Sequence, residues 1–206
     1  MAMHNSPTDF YGKQENEKIL YVVKPHQIAI LVSLVKIYLI AIVVCVALIV
    51  LGTLIEGTSG IFAASGIILF LIIILIGTKV TLDWQARNIS YITDRRIVHF
   101  EPTTLFATNS RTLAWDEAVK VKTFPPNLIW KQMAIGNVVV HARTPIHPSG
   151  QDDSEGLSVD DIELKNVYFY RDLGNYIDKI LFTYKQMPAE IVNMRPFILR
   201  PKGERF

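Results

Sequence analysis

The side chains that could do chemistry in this 206-residue chain are five histidines, one cysteine and a few pairs of basic residues. The histidines lack the i, i+4 helical spacing and the cysteine partners that hold a zinc ion; they are His4, His26, His99, His141 and His147. The cysteine, Cys45, lies in an apolar run and has no second cysteine to pair with. No phosphate loop, serine elbow or dinucleotide motif is present. We therefore predict a protein that is not an enzyme and needs no metal and no cofactor.

One group of basic residues indicates binding of an anionic lipid headgroup or of a protein partner. The alternation of residues 118–124 places Lys120 and Lys122 on the outer face of a strand. His141 and Arg143 are predicted on the outer face of another strand. Clustered cations near a membrane attract anionic headgroups. An ordinary solvated sheet face also explains these residues, and we favour that interpretation over binding.

A second basic pair, Arg95 and Arg96, lies in the predicted turn Thr93–Arg96. Guanidinium groups bind phosphate through two parallel hydrogen bonds, so the pair is also a candidate for headgroup or partner binding. The alternative is a structural role in the turn, and we favour that role because the turn starts a strand.

Two long apolar runs predict a transmembrane hairpin within residues 28–80. Residues 37–55 and 61–78 are each long enough to cross the roughly 30 Å hydrocarbon layer. Lys36 and Lys79 stand at the ends of these spans, where their ammonium groups can reach the headgroups. We therefore assign both lysines to the membrane interface.

The distribution of positive charge predicts the orientation of this hairpin. Four lysines precede the first span, four basic residues follow the second within a short distance, and the connecting residues 56–60 have none. We therefore expect a multi-pass protein of the cell membrane, plasma or inner, with both termini in the cytoplasm. Residues 1–27 then form a cytoplasmic N-terminal segment.

The remainder of the chain predicts a small β domain at residues 81–186 that ends in one helix. After a short connection at 81–88, period-two segments recur between turn residues. Seven strands are predicted, at residues 89–93, 96–101, 104–108, 111–114, 118–124, 137–143 and 157–164. Apolar residues at three- and four-residue spacing then predict an amphipathic helix from Phe169 to Tyr184. Residues 187–206, with three prolines and several basic residues, predict an extended or disordered tail.

Charge balance limits the partners of this domain. Residues 81–206 contain sixteen Lys/Arg and fifteen Asp/Glu, a net charge of +1. A nucleic-acid-binding protein needs a concentrated basic face, so we do not expect nucleic acid as a partner.

The segment from Phe124 to Met133 combines two prolines with aromatic and aliphatic residues and suggests a short helical turn. Trp130 and Lys131 form a pair that is common at membrane interfaces. The segment either dips into that interface or seals the core of the domain, and we favour sealing of the core.

Four stretches give the chain a resemblance to a known family. They are ENEKILYVVKPH before the first span, DWQARNISYITDRRIV, TLFATNSRTLAWDEAVKVK and AIGNVVVHA. Together they resemble the bacterial pleckstrin-homology-like (PH-like) domain family in its small membrane-anchored form, over residues 15–186. The resemblance implies two transmembrane helices followed by a seven-stranded β-barrel or sandwich that is capped by one C-terminal α-helix, an α+β membrane protein.

These patterns lead to two hypotheses of function. The first is a non-enzymatic binding or scaffolding module at the cytoplasmic face of the membrane. It would capture a protein partner or an anionic headgroup, and membrane lipids are expected among its partners. The second is an accessory subunit of a larger membrane complex in transport or the envelope. Small residues in the second span, Ala63, Ala64, Ser65 and Gly66, bear on the second hypothesis because they permit close helix packing.

Overall fold

The chain forms two compact units in a computed structural model that describes residues 9–55, 59–143 and 161–199. Of the described residues, the sheet unit contains those up to His26, Asn88–Thr103 and those from Ala107 onward. The helical unit contains Gln27–Arg87 together with Thr104–Phe106. The protein is therefore α+β, with its two longest helices inserted within the sequence of the sheet unit.

The helical unit is an antiparallel pair, α1 (Gln27–Leu54) and α2 (Ser59–Arg87). Both helices are long and apolar enough to cross a membrane by length and composition. Most of their apolar side chains are exposed, as expected for surfaces that face lipid rather than a protein core. Residues 81–87 continue α2, where we expected a connection. They contain neither glycine nor proline, so nothing in this stretch ends the helix.

Glycines bring α1 and α2 close together. A Cβ atom at Gly52 would lie 2.6 Å from the Cβ of Phe62, and one at Gly77 would lie 2.8 Å from Ile37 Cγ2. Near the open end of the pair the Tyr38 hydroxyl and Thr78 Oγ1 share a hydrogen bond of 3.1 Å. Small residues and interhelical hydrogen bonds of this kind stabilise helix pairs in membranes.

A four-stranded antiparallel sheet combines the residues on either side of this helix pair. Its strands are β1 (Ile19–Val23), β2 (Ile89–Thr93), β3 (Arg96–Pro102) and β4 (Thr108–Ala114), in the order β1-β2-β3-β4. β1 precedes α1 and pairs with β2, which follows α2. The N-terminal segment therefore supplies one strand of the sheet unit, which the sequence analysis did not predict.

A three-stranded antiparallel sheet follows, with strands β5 (Ala118–Phe124), β6 (Ile135–Ala142) and β7 (Ile162–Tyr168). A short helix, α3 (Leu128–Gln132), lies between β5 and β6. The amphipathic helix α4 (Tyr170–Gln186) follows β7 directly, as its spacing predicted.

The strand prediction needs two corrections. Residues 104–107 form a loop rather than a strand, and β4 begins at Thr108. The seven strands include β1, so the sheet unit does not begin at residue 81. Of the predicted strand 157–164, residues 157–160 lie outside the described residues. Neither sheet closes into a barrel over the part of the chain that the structure describes.

One apolar core joins both sheets to α4. Trp115 is fully buried there, and its indole Nε1–H donates a 3.0 Å hydrogen bond to the Thr93 carbonyl oxygen. Ile92 and Ile97 enter the core from the four-stranded sheet, and Leu173 enters it from α4. A Cβ atom at Gly174 would collide with the side chain of Thr123, so α4 packs directly on β5.

A smaller apolar cluster covers the other face of the four-stranded sheet. Phe10, from the segment before β1, stacks on Tyr91 with ring centroids 4.6 Å apart. Phe100 completes this cluster and is fully buried. β2 is therefore buried on both faces.

The described part of the predicted extended or disordered tail begins with a short helix, whereas residues 194–199 contain neither helix nor strand. Pro188–Asn193 form a 3₁₀-helix, and Ile191 is 1% exposed in the main core. The Phe197 N–H donates a 3.2 Å hydrogen bond to the Leu20 carbonyl oxygen. Tyr176 of α4 donates its hydroxyl proton to the Arg195 carbonyl oxygen at 2.7 Å. Burial of that phenol raises the pKa of Tyr176 to about 12.

Candidate functional site

The predicted lysine pair lies on the outer face of the three-stranded sheet. The register pairs Lys120 with His141 and Lys122 with Val139. Both lysines are exposed. Since residues paired across two strands share a face, Lys120 and His141 lie side by side as predicted.

His141 is hydrogen-bonded to the carboxylate of Asp161, the residue directly before β7. Its Nδ1 lies 2.8 Å from Asp161 Oδ2, and Asp161 Oδ1 accepts a 2.9 Å hydrogen bond from the Ala142 N–H. The Asp161 side chain is 2% exposed. The Nε2 atom of His141 is buried and has no hydrogen-bond partner among the described residues. His141 therefore belongs to a hydrogen-bonded pair with Asp161.

Carboxylates also share the face with the lysines. Val139 pairs with Glu163, which brings a carboxylate into the same row as Lys122. Glu163 Oε1 accepts a 2.8 Å hydrogen bond from Asn137, and Lys165 lies 3.8 Å from Glu163 Oε2. The outer face thus carries charges of both signs, whereas the sequence analysis predicted a basic face.

Arg143 follows the end of β6 and is exposed. Its backbone N–H donates a 2.8 Å hydrogen bond to the Glu117 carbonyl oxygen, which fixes the backbone beside the start of β5. Lys120, Lys122 and Arg143 are all exposed. The two lysines lie in β5, and Arg143 directly follows β6 of the same sheet.

The arginine pair lies elsewhere, in the turn between β2 and β3 of the four-stranded sheet. Arg96 donates from Nε to Glu17 Oε1 at 2.9 Å and from Nη2 to Glu17 Oε2 at 3.0 Å. A further 2.6 Å hydrogen bond joins Arg96 Nη2 to the Gly12 carbonyl oxygen. Arg95 is exposed and donates to Gln14 Oε1 at 2.9 Å. Both guanidinium groups thus bind the segment before β1.

Glu17 is the residue at this turn that sequence reasoning missed. Its side chain is fully buried, and it also accepts hydrogen bonds from Thr93 Oγ1 at 2.9 Å and from the Gln14 N–H at 2.8 Å. Burial by itself raises the pKa of Glu17, but hydrogen bonds from Arg96, Gln14 and Thr93 outweigh burial and lower it. Thr93 and Arg96 lie more than seventy positions from Glu17, so no local pattern reveals the contact with the turn.

The predicted interface lysines of the spans lie at one level of the helix pair. Lys36 and Lys79 are both exposed. Each is within two residues of the hydrogen bond between Tyr38 and Thr78, which joins the helices. Both lysines therefore lie on the same side of this hydrogen bond, toward the end of the pair formed by the start of α1 and the end of α2.

Helix α3 does not seal the core, which corrects the interpretation that we favoured. Leu128 and Ile129 are 70% and 68% exposed, and none of its five residues is buried. Trp130 is partly buried, and its backbone N–H donates to the Oδ1 of the N-cap residue Asn127 at 3.0 Å. Lys131 is exposed.

A cavity of about 200 Å³ lies between α3 and the first turn of α4. Two of its lining residues, Ala134 and Phe169, have left-handed backbone conformations with φ of 56° and 51°. The Phe169 N–H donates a 2.8 Å hydrogen bond to the Ala134 carbonyl oxygen, which links the two strained positions. The remaining lining residues are Lys131, Tyr170, Arg171 and Asp172. The cavity lining thus combines two cationic residues with one carboxylate residue.

Comparisons with known proteins find no matching family model, no similar curated protein and no similar solved structure.

Proposed function

We propose that this chain is a membrane-anchored, non-enzymatic binding module, whose PH-like sheet unit captures anionic lipid headgroups at the cytoplasmic face of the cell membrane. The observation that carries the proposal is the pairing of β1 with β2. Residues on both sides of the apolar helix pair belong to one folded unit, so the unit is attached to the spans at two points. Three residues, 24–26, separate β1 from α1, and Asn88 alone separates α2 from β2.

The same pairing supports a hairpin topology. If α1 crosses the bilayer, α2 must return, because β1 and β2 can pair only on one side. The number of crossings is then even whatever the charge distribution. The cytoplasm is the side we propose, since the basic residues flank the spans and are missing from residues 56–60.

The PH-like part of the proposal is supported by the order of the elements. A four-stranded antiparallel sheet, a three-stranded antiparallel sheet and a terminal amphipathic helix follow one another. Among the described residues, the seven strands and the amphipathic helix after the last of them support the resemblance, although neither sheet closes there and α3 and a 3₁₀-helix are also present. The helix pair is inserted after the first strand, a departure from the expected order of spans before domain.

The proposed contact with headgroups uses Lys120, Lys122 and Arg143, all of which are exposed. Asp161 and Glu163 on or beside the same face reduce the local positive potential. Each basic residue near an anionic surface contributes about 1 kcal/mol. We therefore propose weak capture that depends on a high local concentration of lipid, which the two attachments to the spans supply.

The alternative of an accessory subunit has less support in the helix pair. Gly66, one of the small residues that suggested helix packing with a partner, is buried against Cys45 and Leu48 of α1. Gly66 therefore lies on the face of α2 that packs against α1. Ala64 and Ser65 are exposed but carry no further indication of a partner helix.

The proposal is tested with the full chain in nanodiscs of neutral phosphatidylcholine. The full chain is required because residues 81–186 alone lack β1 and leave β2 without its neighbour. Vesicles rich in phosphatidylglycerol should bind such nanodiscs more strongly than phosphatidylcholine vesicles, and added salt should weaken binding. Lys120→Glu with Lys122→Glu should lower the affinity at least tenfold, since two contributions of about 1 kcal/mol are lost.

Arg95→Ala is the matched control, because Arg95 is also an exposed basic residue but belongs to the β2–β3 turn. It should change vesicle binding less than the lysine double variant does. Binding that is absent, insensitive to salt or unchanged in the double variant would contradict headgroup capture. Protein capture would then be examined by mass analysis of proteins that copurify in mild detergent.

A further inference from the structure

The loop between β3 and β4 presents two apolar side chains to the surroundings. Leu105 is 50% exposed and Phe106 is 96% exposed. Exposure of two large apolar side chains in water is unfavourable. The loop is nevertheless defined by its own hydrogen bonds. The Thr103 N–H donates to the Ala107 carbonyl oxygen at 3.1 Å, and the Phe106 N–H donates to Thr104 Oγ1 at 3.4 Å.

The tip of this loop, Thr104–Phe106, belongs to the helical unit. The loop tip is bonded to the C-terminal end of α2, where Arg87 Nη1 donates a 3.4 Å hydrogen bond to the Thr104 carbonyl oxygen. Arg87 Nε also donates to the Asp83 carbonyl oxygen at 3.2 Å, which keeps its side chain along the helix. Leu105 and Phe106 therefore lie beside the last turn of a helix that we propose to cross the membrane.

The level of this tip can be compared with the apolar surface of the helix pair. Arg87 is nine residues after Thr78, or about 13 Å along α2 from the hydrogen bond with Tyr38. On α1, Leu31 is seven residues before Tyr38, or about 10 Å from the same level, and it is 59% exposed. Exposed apolar surface thus extends to within a few ångströms of the level of Arg87.

We propose that Leu105 and Phe106 form a membrane-contact tip that inserts into the interfacial layer of the bilayer crossed by α1 and α2. The interfacial layer suits this composition, since aromatic rings concentrate there and Arg87 can reach lipid phosphates. A bilayer is favoured over a protein partner as the occupant because the tip is grouped with helices whose exposed apolar surface already requires lipid. This inference rests on the proposed membrane crossing and is independent of headgroup capture by Lys120 and Lys122.

Depth-dependent fluorescence quenching tests the tip. The full chain with Cys45→Ala and Phe106→Cys, labelled with the environment-sensitive fluorophore NBD, is reconstituted into phosphatidylcholine vesicles. We expect blue-shifted emission and quenching by lipids that carry a nitroxide near the headgroup. That quenching should be several-fold stronger than for a label at Phe182→Cys, which replaces another exposed aromatic residue, 65% exposed on α4.

A label at Leu71→Cys, 51% exposed in the middle of α2, distinguishes the tip from the membrane crossing itself. It should be quenched most by nitroxides deep in the acyl chains. Suppose that the label at position 71 is quenched, but the label at position 106 is quenched no more than the label at position 182. The proposal of a membrane-contact tip would then be refuted, whereas the membrane crossing would stand. A blue shift at Phe106 without lipid quenching would overturn the tip as well, because the tip would then be buried against protein. Absence of quenching at Leu71 would refute the crossing and the tip together.

Discussion

Arg96 binds Glu17 through two parallel hydrogen bonds, of 2.9 and 3.0 Å, and so ties the β2–β3 turn to the segment before β1. The Glu17 side chain is fully buried and that of Arg96 is 17% exposed. A carboxylate buried to this extent needs its partner, because water cannot replace the lost hydrogen bonds. The pair holds together two parts of the chain that lie on opposite sides of the apolar helix pair.

Arg96→Ala should therefore lower the free energy of unfolding of the sheet unit by about 3 kcal/mol, since it leaves Glu17 buried without a counter-charge. Arg95→Ala is the matched control and should change that free energy by no more than about 0.5 kcal/mol, because Arg95 is exposed. Urea denaturation of the full chain in detergent, followed by tryptophan fluorescence, measures both. Equal effects of the two variants would show that the ion pair does not stabilise the unit.

Acid should weaken the same contact. The folded-state pKa of Glu17 is lower than its ordinary value of 4.5, so the ionised form is favoured in the folded state. The resulting stabilisation is fully present above pH 4.5 and is lost as the pH falls through the lowered pKa. Glu17→Gln should reduce the pH dependence of the free energy of unfolding in that range. An unchanged slope below pH 4.5 in the variant would assign the acid sensitivity to other carboxyl groups.

His99 gives a second pH dependence, at higher pH. It is 6% exposed, and its Nδ1 lies 2.7 Å from Ser90 Oγ. Burial lowers the pKa of His99 below its ordinary 6.5; Glu101 opposes this effect, while Lys165 and Arg111 add to it. Below pH 6.5 the unfolded chain therefore binds the proton more readily, and stability should fall as the pH decreases from 6.5.

The variant His99→Gln should remove this dependence on pH near 6.5 while it keeps a polar partner for Ser90. Thermal unfolding of the full chain, recorded at a series of pH values, provides the comparison. If the melting temperature of the wild type and of the variant falls in parallel below pH 6.5, His99 does not cause the loss of stability.

The helix pair offers a matched pair of glycine substitutions. Gly52→Ala would place a Cβ atom 2.6 Å from Phe62 Cβ, an atom fixed to the backbone, so the helices must separate. The nearest atoms to a Cβ at Gly66 are 3.4 Å away, which a small shift accommodates. Overpacking costs about 1–3 kcal/mol, whereas alanine in place of glycine favours a helix by about 1 kcal/mol.

We therefore expect Gly52→Ala to destabilise the helix pair and Gly66→Ala to have little effect or to stabilise it. Unfolding of the full chain in mixed micelles with increasing SDS measures the difference through helix content. Similar midpoints for Gly52→Ala and the wild type would mean that the close approach at Phe62 does not limit the packing.

The elements that sequence predicted best are those with local patterns. The alternation of residues 89–93 and 118–124 gave the bounds of β2 and β5, and the spacing of Leu173 and Ile177 gave α4. Ile19–Val23 also has the β-branched and aromatic composition of a strand. It was missed because it lies just before a long apolar helix, and its partner β2 begins seventy residues later.

The candidate site was predicted in part for a similar reason. Alternation along one strand placed Lys120 and Lys122 on a common face, but the neighbours across the sheet depend on register. Asp161 and Glu163 reach that face from a strand whose first predicted residues, 157–160, lie outside the described residues. The interpretation of α3 failed because apolar composition does not distinguish a side chain that fills a core from one that remains at the surface.

The pairing of β1 with β2 also imposes an order on biogenesis. β1 leaves the ribosome first, but its partner is synthesised only after the whole of α1 and α2, and at about 5–20 residues per second this takes several seconds. During that interval β1 has an open edge, and the Glu17 carboxylate still lies in water. The sheet can therefore be completed only after both long helices have been synthesised, and any delay in their synthesis lengthens the time for which an unpaired strand is available to other chains.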